Sequence, residues 1–243
     1  MARCGIAHGN RSKSMAVITK QRMRRFVRVY AGIIIRMGFL LIVGVILLYY
    51  VGAKENRSVY EEAGSMRPEP NDAVLGDPKA PITLIVYADY QCQFCGIFYK
   101  EVLRELEPEF ITTGKVNIMH RDFIVFGSKS LDAANAAACA KEQGQFWQYH
   151  NLLFSKQERS GLDPFSRENL KAFGRELSFD QKRFAECVDS GRYDSQISDS
   201  TKKAQALGVR MIPSFFINGL GPISGSLRSP QFKNLLDNAL KDK

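Results

Sequence analysis

The chain has 243 residues, 45% hydrophobic and 24% charged, enough for one domain of ordinary size with a sizeable core and an additional segment. Its net charge of +9 is concentrated at one end: residues 1–54 carry ten Lys/Arg and no Asp/Glu, which leaves 24 basic against 25 acidic residues in 55–243. A body that close to neutral lacks the broad basic footprint of a nucleic-acid binder, so nucleic acid is excluded as a partner.

Residues 1–36 read as a basic leader. Met37 to Gly52, MGFLLIVGVILLYYVG, carries no charge, and Met37 to Ala53 just reaches the lower limit of about 17 residues for a membrane span. Nine Lys/Arg precede it, so the positive-inside rule places the N-terminus in the cytoplasm and everything after about residue 54 outside. If Arg36 snorkels toward the headgroups, the span extends upstream. Residues 37–53 are therefore expected to be a transmembrane anchor. The competing reading is the apolar core of a cleaved signal peptide, with the small residues Gly52 and Ala53 near a cleavage site. Residues 54–73 are polar, with Gly64, Pro68 and Pro70, and read as a tether. Cys4 would remain on the reducing side, while the other four cysteines would face an environment where disulfides persist.

Leu75 to Pro78 and Ala80-Pro81 are turn signals. Ile82 to Ala88 is an apolar, β-rich run that predicts a strand. Cys92-Gln93-Phe94-Cys95 follows and opens a helix expected over about 94–111, with Phe94, Phe98, Val102, Leu106 and Phe110 every four residues. Two cysteines at a strand-to-helix turn can form a small disulfide. The first sulfur sits at the helix N-terminus, where unpaired N–H groups and the macrodipole favour a thiolate, as a thiol–disulfide exchange catalyst requires. A lone CxxC is also half of many zinc sites, but no second half is present in the sequence and no metal is expected. Gly114 ends the helix, and Val116 to His120 predicts a second strand, parallel to the first.

The next eighty residues predict helices: 130–141, 146–154, one capped by Ser166 and running to about 177, one capped by Asp180 and ending near Gly191, and one over 193–207. Cys139 and Cys187 lie on separate helices of this block, and cysteine parity pairs them as a structural disulfide. His120 and His150 are the histidines of the folded part, and His150 reads as packing among Phe146, Trp147 and Leu153. Strand character returns at Ser214 to Ile217, followed by the turn Asn218-Gly219, a short companion strand at Pro222 to Gly225, and a helix over 229–241. The order β-α-β, then helices, then β-β-α is an α/β thioredoxin-like core with a helical insertion at about 128–208, together spanning 74–242. Pro213 fits equally a cis proline or a trans proline opening an edge strand.

With these blocks in view, the chain resembles the DsbA-like thiol:disulfide oxidoreductases of the thioredoxin-like superfamily. The resemblance covers roughly 74–242 and rests on VLGDPKAPITLIVYADYQCQFC, AANAAACAKEQGQFWQYHNLLF and LGVRMIPSFFING. It implies that Cys92 is the nucleophile, Cys95 the buried resolving thiol and Pro213 a cis-proline facing them. It also implies that the backbone of Ile212 pairs with an extended substrate, with Gln93 and Phe94 as further substrate contacts. Three positions depart from the family's habits. Neither Gln93 nor Phe94 is ionisable, and Val86 stands where many relatives place a buried carboxylate. A proton acceptor for Cys95 must then come from elsewhere. Asp89 is one option, although a cap on the active-site helix is the expected role for it.

The function these features imply is an extracytoplasmic dithiol oxidase with no cofactor, introducing disulfides into exported proteins. Its expected setting is a bacterial inner membrane, single-pass, with the catalytic domain in the periplasm. Its partners would be reduced or misoxidised exported proteins and a membrane redox partner that resets the Cys92–Cys95 pair. The alternatives are a reductase or isomerase using the same residues, and a metal-handling assembly factor binding copper through Cys92 and Cys95.

Overall fold

A computed structural model describes residues 37–48, 72–157 and 164–242. Contacts divide the chain into one unit over 1–58 and another over 59–243. In the first unit, residues 37–48 are helical. No helix among the described residues is long and apolar enough to cross a membrane. The remainder of the expected span, 49–53, and the expected leader and most of the tether lie outside the described residues, as does Cys4.

In the second unit a five-stranded sheet has the order β1-β3-β2-β4-β5. Its strands are β1 (Val74–Leu75), β2 (Ile82–Ala88), β3 (Val116–Asp122), β4 (Ser214–Ile217) and β5 (Leu220–Ser224). β2 runs parallel to β3, with Ile82 opposite Val116, and antiparallel to β4, with Val86 opposite Phe215. All seven β2 residues are buried, so the central strand is apolar on both faces rather than alternating. Ile82, Leu84, Val86 and Ala88 enter one core with Phe98, Leu106, Phe110, Phe215 and Phe232. Ile85 and Tyr87 enter a second with Met119, Val209 and Phe216 on the other face. The two-residue β1, whose second residue Leu75 opens the stretch read as turn, pairs antiparallel with the edge of β3.

Helix α1 follows β2 and alternates in winding. It is α-helical over Gln93–Ile97, π-helical over Phe98–Val102, α-helical over Leu103–Leu106 and π-helical over Glu107–Ile111. The repeat of four explains this. At 3.6 residues per turn each step of four overshoots by about 40°, so a stripe spaced by four would wind off the core. Wider turns bring it back, and Phe98, Val102, Leu106 and Phe110 are all buried. Phe94 is a correction to that stripe: it is 59% exposed and lies outside the core.

Among the described residues, five helices separate β3 from β4: α2 (Ser128–Lys141), α3 (Phe146–Lys156), α4 (Arg167–Gly174), α5 (Gln181–Ser190) and α6 (Asp194–Ala206). Ser166 and Asp180 cap α4 and α5 by accepting N–H groups from Asn169 and Arg183. A disulfide joins Cys139 on α2 to Cys187 on α5 across a separation of 48. Helix α7 (Ser229–Lys241) closes the fold, with Phe232 and Leu236 against the sheet.

Candidate active site

The carboxyl end of β2 delivers the chain to the start of α1 in the middle of the sheet. Cys92 is itself the N-cap of α1: its backbone is extended and its Sγ accepts the Cys95 N–H at 3.3 Å. The sulfur therefore occupies the place where unpaired helix N–H groups converge. Asp89 does not cap this helix, contrary to the expectation from sequence. Its buried carboxylate accepts from the Gln91 N–H and the Ser130 hydroxyl on one oxygen, and from the Val125 and Phe126 N–H groups on the other. It ties the turn before Cys92 to the segment after β3, a role that needs two chain segments to meet.

The two thiols are free and displaced in opposite directions. The Cys92 thiol is lowered from its ordinary value, chiefly by a hydrogen bond from the Cys95 thiol, with the Cys95 and Phe94 backbone N–H groups adding to it against the opposing effect of burial. The Cys95 thiol is pushed far up, first by burial and then by its hydrogen bond to Cys92 and the Cys92 charge. One sulfur is thus prepared as a nucleophile and leaving group, and the other is held protonated.

The peptide bond between Ile212 and Pro213 is cis. The Ile212 carbonyl faces the pair and accepts from the Cys92 thiol at 3.9 Å. Pro213 is buried, while Gln93 and Phe94 are exposed between the cysteines. Cys92, Cys95, Ile212 and Pro213 are thereby brought together, with Gln93 and Phe94 at the rim. The Cys139–Cys187 disulfide belongs to the helical block and supplies no group to this site.

Several participants carry no sequence signal. The Gln157 side-chain amide donates to the carbonyls of Tyr90 and Cys92, stapling the end of α3 to the active-site turn. Gln91 reaches the Phe126 carbonyl and the Ser130 hydroxyl. Beneath the pair lies an aromatic cluster in which Tyr99 hydrogen-bonds His120 Nδ1 and Tyr90 hydrogen-bonds His150 Nδ1, each at 2.9 Å. His150 is fully buried and its ionisation is suppressed, first by burial and then by His120. No motif marks these contacts, because each joins residues at least 21 positions apart.

The thioredoxin family profile matches residues 69–238. A Rickettsia felis relative, provisionally named a protein-disulfide oxidoreductase, is 26% identical over 180 residues, which is 74% of this chain and 64% of that one. The chain likewise spans only 63% of related proteins from Rickettsia prowazekii and Rickettsia typhi. A Bacillus anthracis relative, provisionally named disulfide bond formation protein D, is 26% identical over 217 residues, covering 86% of this chain and 95% of its own. Among solved structures, Wolbachia pipientis alpha-DsbA1 is 26% identical with a TM-score of 0.65, covering 74% of this chain and 96% of that one. Oxidised BdbD from Bacillus subtilis, at 22% identity, shares the fold with a TM-score of 0.66 over 72% of this chain and 96% of its own. With its profile match, its inserted helices and its CxxC pair at the start of α1, the chain belongs to the thioredoxin family as a DsbA-like member.

Proposed function

We propose that this chain is a protein thiol:disulfide oxidoreductase that works outside the cytoplasm as a dithiol oxidase. The observation that carries the reading is the opposite displacement of two thiols three positions apart on one helix start. In the oxidised pair, a substrate thiolate attacks the Cys92 sulfur, and the electron pair of the broken S–S bond passes to Cys95, which takes up a proton. A second substrate thiolate then attacks the substrate sulfur of the mixed disulfide, and Cys92 departs as a stabilised thiolate. The substrate gains a disulfide and the enzyme holds two more electrons and one more proton. A stabilised reduced form makes the disulfide a strong oxidant, which favours donation over reduction. A membrane redox partner would take the electrons and restore the disulfide. Exposed Phe94, Ile97, Val125, Phe126 and Met211 lie on segments that meet at the pair and suit an unfolded polypeptide, with Ile212 offering backbone pairing.

The test of direction is the reduction potential of the Cys92–Cys95 pair in glutathione buffers, with the second disulfide intact. A value near about −120 mV supports the oxidase, and one near about −270 mV marks a reductase and overturns it.

Location belongs to the same proposal. Residues 37–53 form the anchor, 54–73 the tether, and the catalytic domain lies across the inner membrane from the basic leader. The support is the charge-free run behind nine basic residues. A membrane-impermeant thiol reagent applied to spheroplasts should label Cys92 in the reduced chain and reach Cys4 only after lysis. Labelling of both from one side would remove the topology.

A further inference from the structure

Each cycle moves a proton at Cys95, a thiol with no exposed surface. Val86 supplies no carboxylate, and Asp89 has two donors on each carboxylate oxygen, leaving no acceptor position open toward the sulfur. Tyr99 follows Cys95 by one helical turn, so the two share a face of α1, and a helical side chain leans back over the turn before it. The Tyr99 phenol is held neutral first by burial, and a thiolate formed at Cys95 would oppose its ionisation further. Its hydroxyl pairs with His120 Nδ1 at 2.9 Å, and His120 Nε2 pairs with Asp122 Oδ1 at 3.0 Å. With the carboxylate accepting from Nε2–H, Nδ1 accepts from the tyrosine. His120 and Asp122 both line a cavity of about 670 Å³, whose wall includes Arg121, Lys141, Asp199 and Lys203. The neighbouring Tyr90–His150 pair has no such outlet: His150 is sealed and its Nε2 meets no partner among the described residues.

We propose that Tyr99, His120 and Asp122 form the proton conduit of the resolving thiol, running from Cys95 to the polar cavity. When Cys95 closes the pair, its S–H proton passes to the Tyr99 oxygen as Tyr99 gives its own proton to His120 Nδ1. The resulting imidazolium is held by Asp122 and releases a proton at the cavity wall. The sulfur electron pair left on Cys95 attacks Cys92, and the electron pair of the broken S–S bond leaves with the departing thiolate. The reverse order protonates Cys95 when the pair opens. Tyr99 and His120 act on Cys95 alone, which separates their effect from that of any residue serving Cys92. The inference rests on the exchange reading proposed above.

The test uses the reduced full-length chain with Cys4→Ser and a symmetrical aryl disulfide that releases a coloured thiolate. Cys92 attacks the reagent and frees one equivalent. Cys95 then displaces a second from Cys92, and only this step needs its proton removed. Tyr99→Phe and His120→Gln should slow the second release by about tenfold or more while leaving the first within about twofold. Tyr149→Phe, which removes a buried tyrosine hydroxyl bonded to the Leu170 carbonyl and away from the pair, should slow neither. An unchanged second release in both variants overturns the conduit. So does equal slowing of both releases, or a matching loss in Tyr149→Phe, since either would be a packing effect. The two variants lie on α1 and β3, so loss of folding in one leaves the other to decide. If the chain without further substitution gives a first release and no second, the exchange reading fails and the conduit with it.

Discussion

The largest downward influence on the Cys92 thiol is the hydrogen bond from Cys95, ahead of the backbone N–H groups at the helix start. Replacing Cys95 by Ala removes that donor and leaves burial opposed only by the N–H groups, so the Cys92 thiol should rise. In a Cys4→Ser background, the alkylation rate of Cys92 should be half-maximal below about pH 8.5 in the reduced chain and at a higher pH in Cys95→Ala. Equal midpoints would show that the helix alone lowers the thiol. Cys95→Ala should also trap substrates as mixed disulfides on Cys92, because the resolving thiol is gone. The CxxC spacing makes these two residues legible in the sequence. Asp89 is not legible in the same way: its four donors come from positions 91, 125, 126 and 130, and only the return of the chain after β3 assembles them.

At the scale of elements, the hairpin behind Pro213 depends on a close approach. A Cβ added to Gly221 would lie 2.7 Å from both the Phe215 carbonyl oxygen and the Phe216 ring, inside any normal contact. Gly221→Ala should destabilise the fold by about 1–3 kcal/mol, read from urea unfolding, through overpacking beneath β4. A loss of only a few tenths would mean that the hairpin shifts freely. Strands and capped helices of this chain are visible beforehand because alternation, apolar runs and Ser or Asp caps are local signals. The two-residue β1 is not, since it draws its hydrogen bonds from β3 more than forty positions later. The π-helical turns of α1 lie between these cases: a strict repeat of four already conflicts with 3.6 residues per turn, and burial against the sheet resolves the conflict by widening the helix.

For the whole molecule, the Cys139–Cys187 bond closes a loop of 48 positions within the inserted helices. In the chain-entropy model such a loop stabilises the fold by about 4 kcal/mol. Substituting both cysteines by Ala should therefore lower unfolding stability by up to about 4 kcal/mol while leaving the potential of the Cys92–Cys95 pair close to its original value. A large change in that potential would show that the insertion couples to the active site through this bond. The insertion does reach the site by other routes, through Gln157 at the end of α3 and Ser130 on α2, so its packing positions the turn before Cys92.

By itself the sequence determined the order of elements from β2 onward, the place of the cysteine pair at a strand-to-helix turn, the separation of a basic, apolar N-terminal region from a neutral domain, and the resemblance to DsbA-like proteins. All of these reside in runs of neighbouring residues or in composition. The tertiary structure alone decided that Phe94 faces solvent, that Asp89 and Gln157 brace the active-site turn, and that Tyr99, His120 and Asp122 form a hydrogen-bonded line ending at a cavity. The reason is physical: hydrophobic periodicity fixes which face of an element is buried, whereas a hydrogen bond between α1 and β3 exists only once packing has set the distance between them.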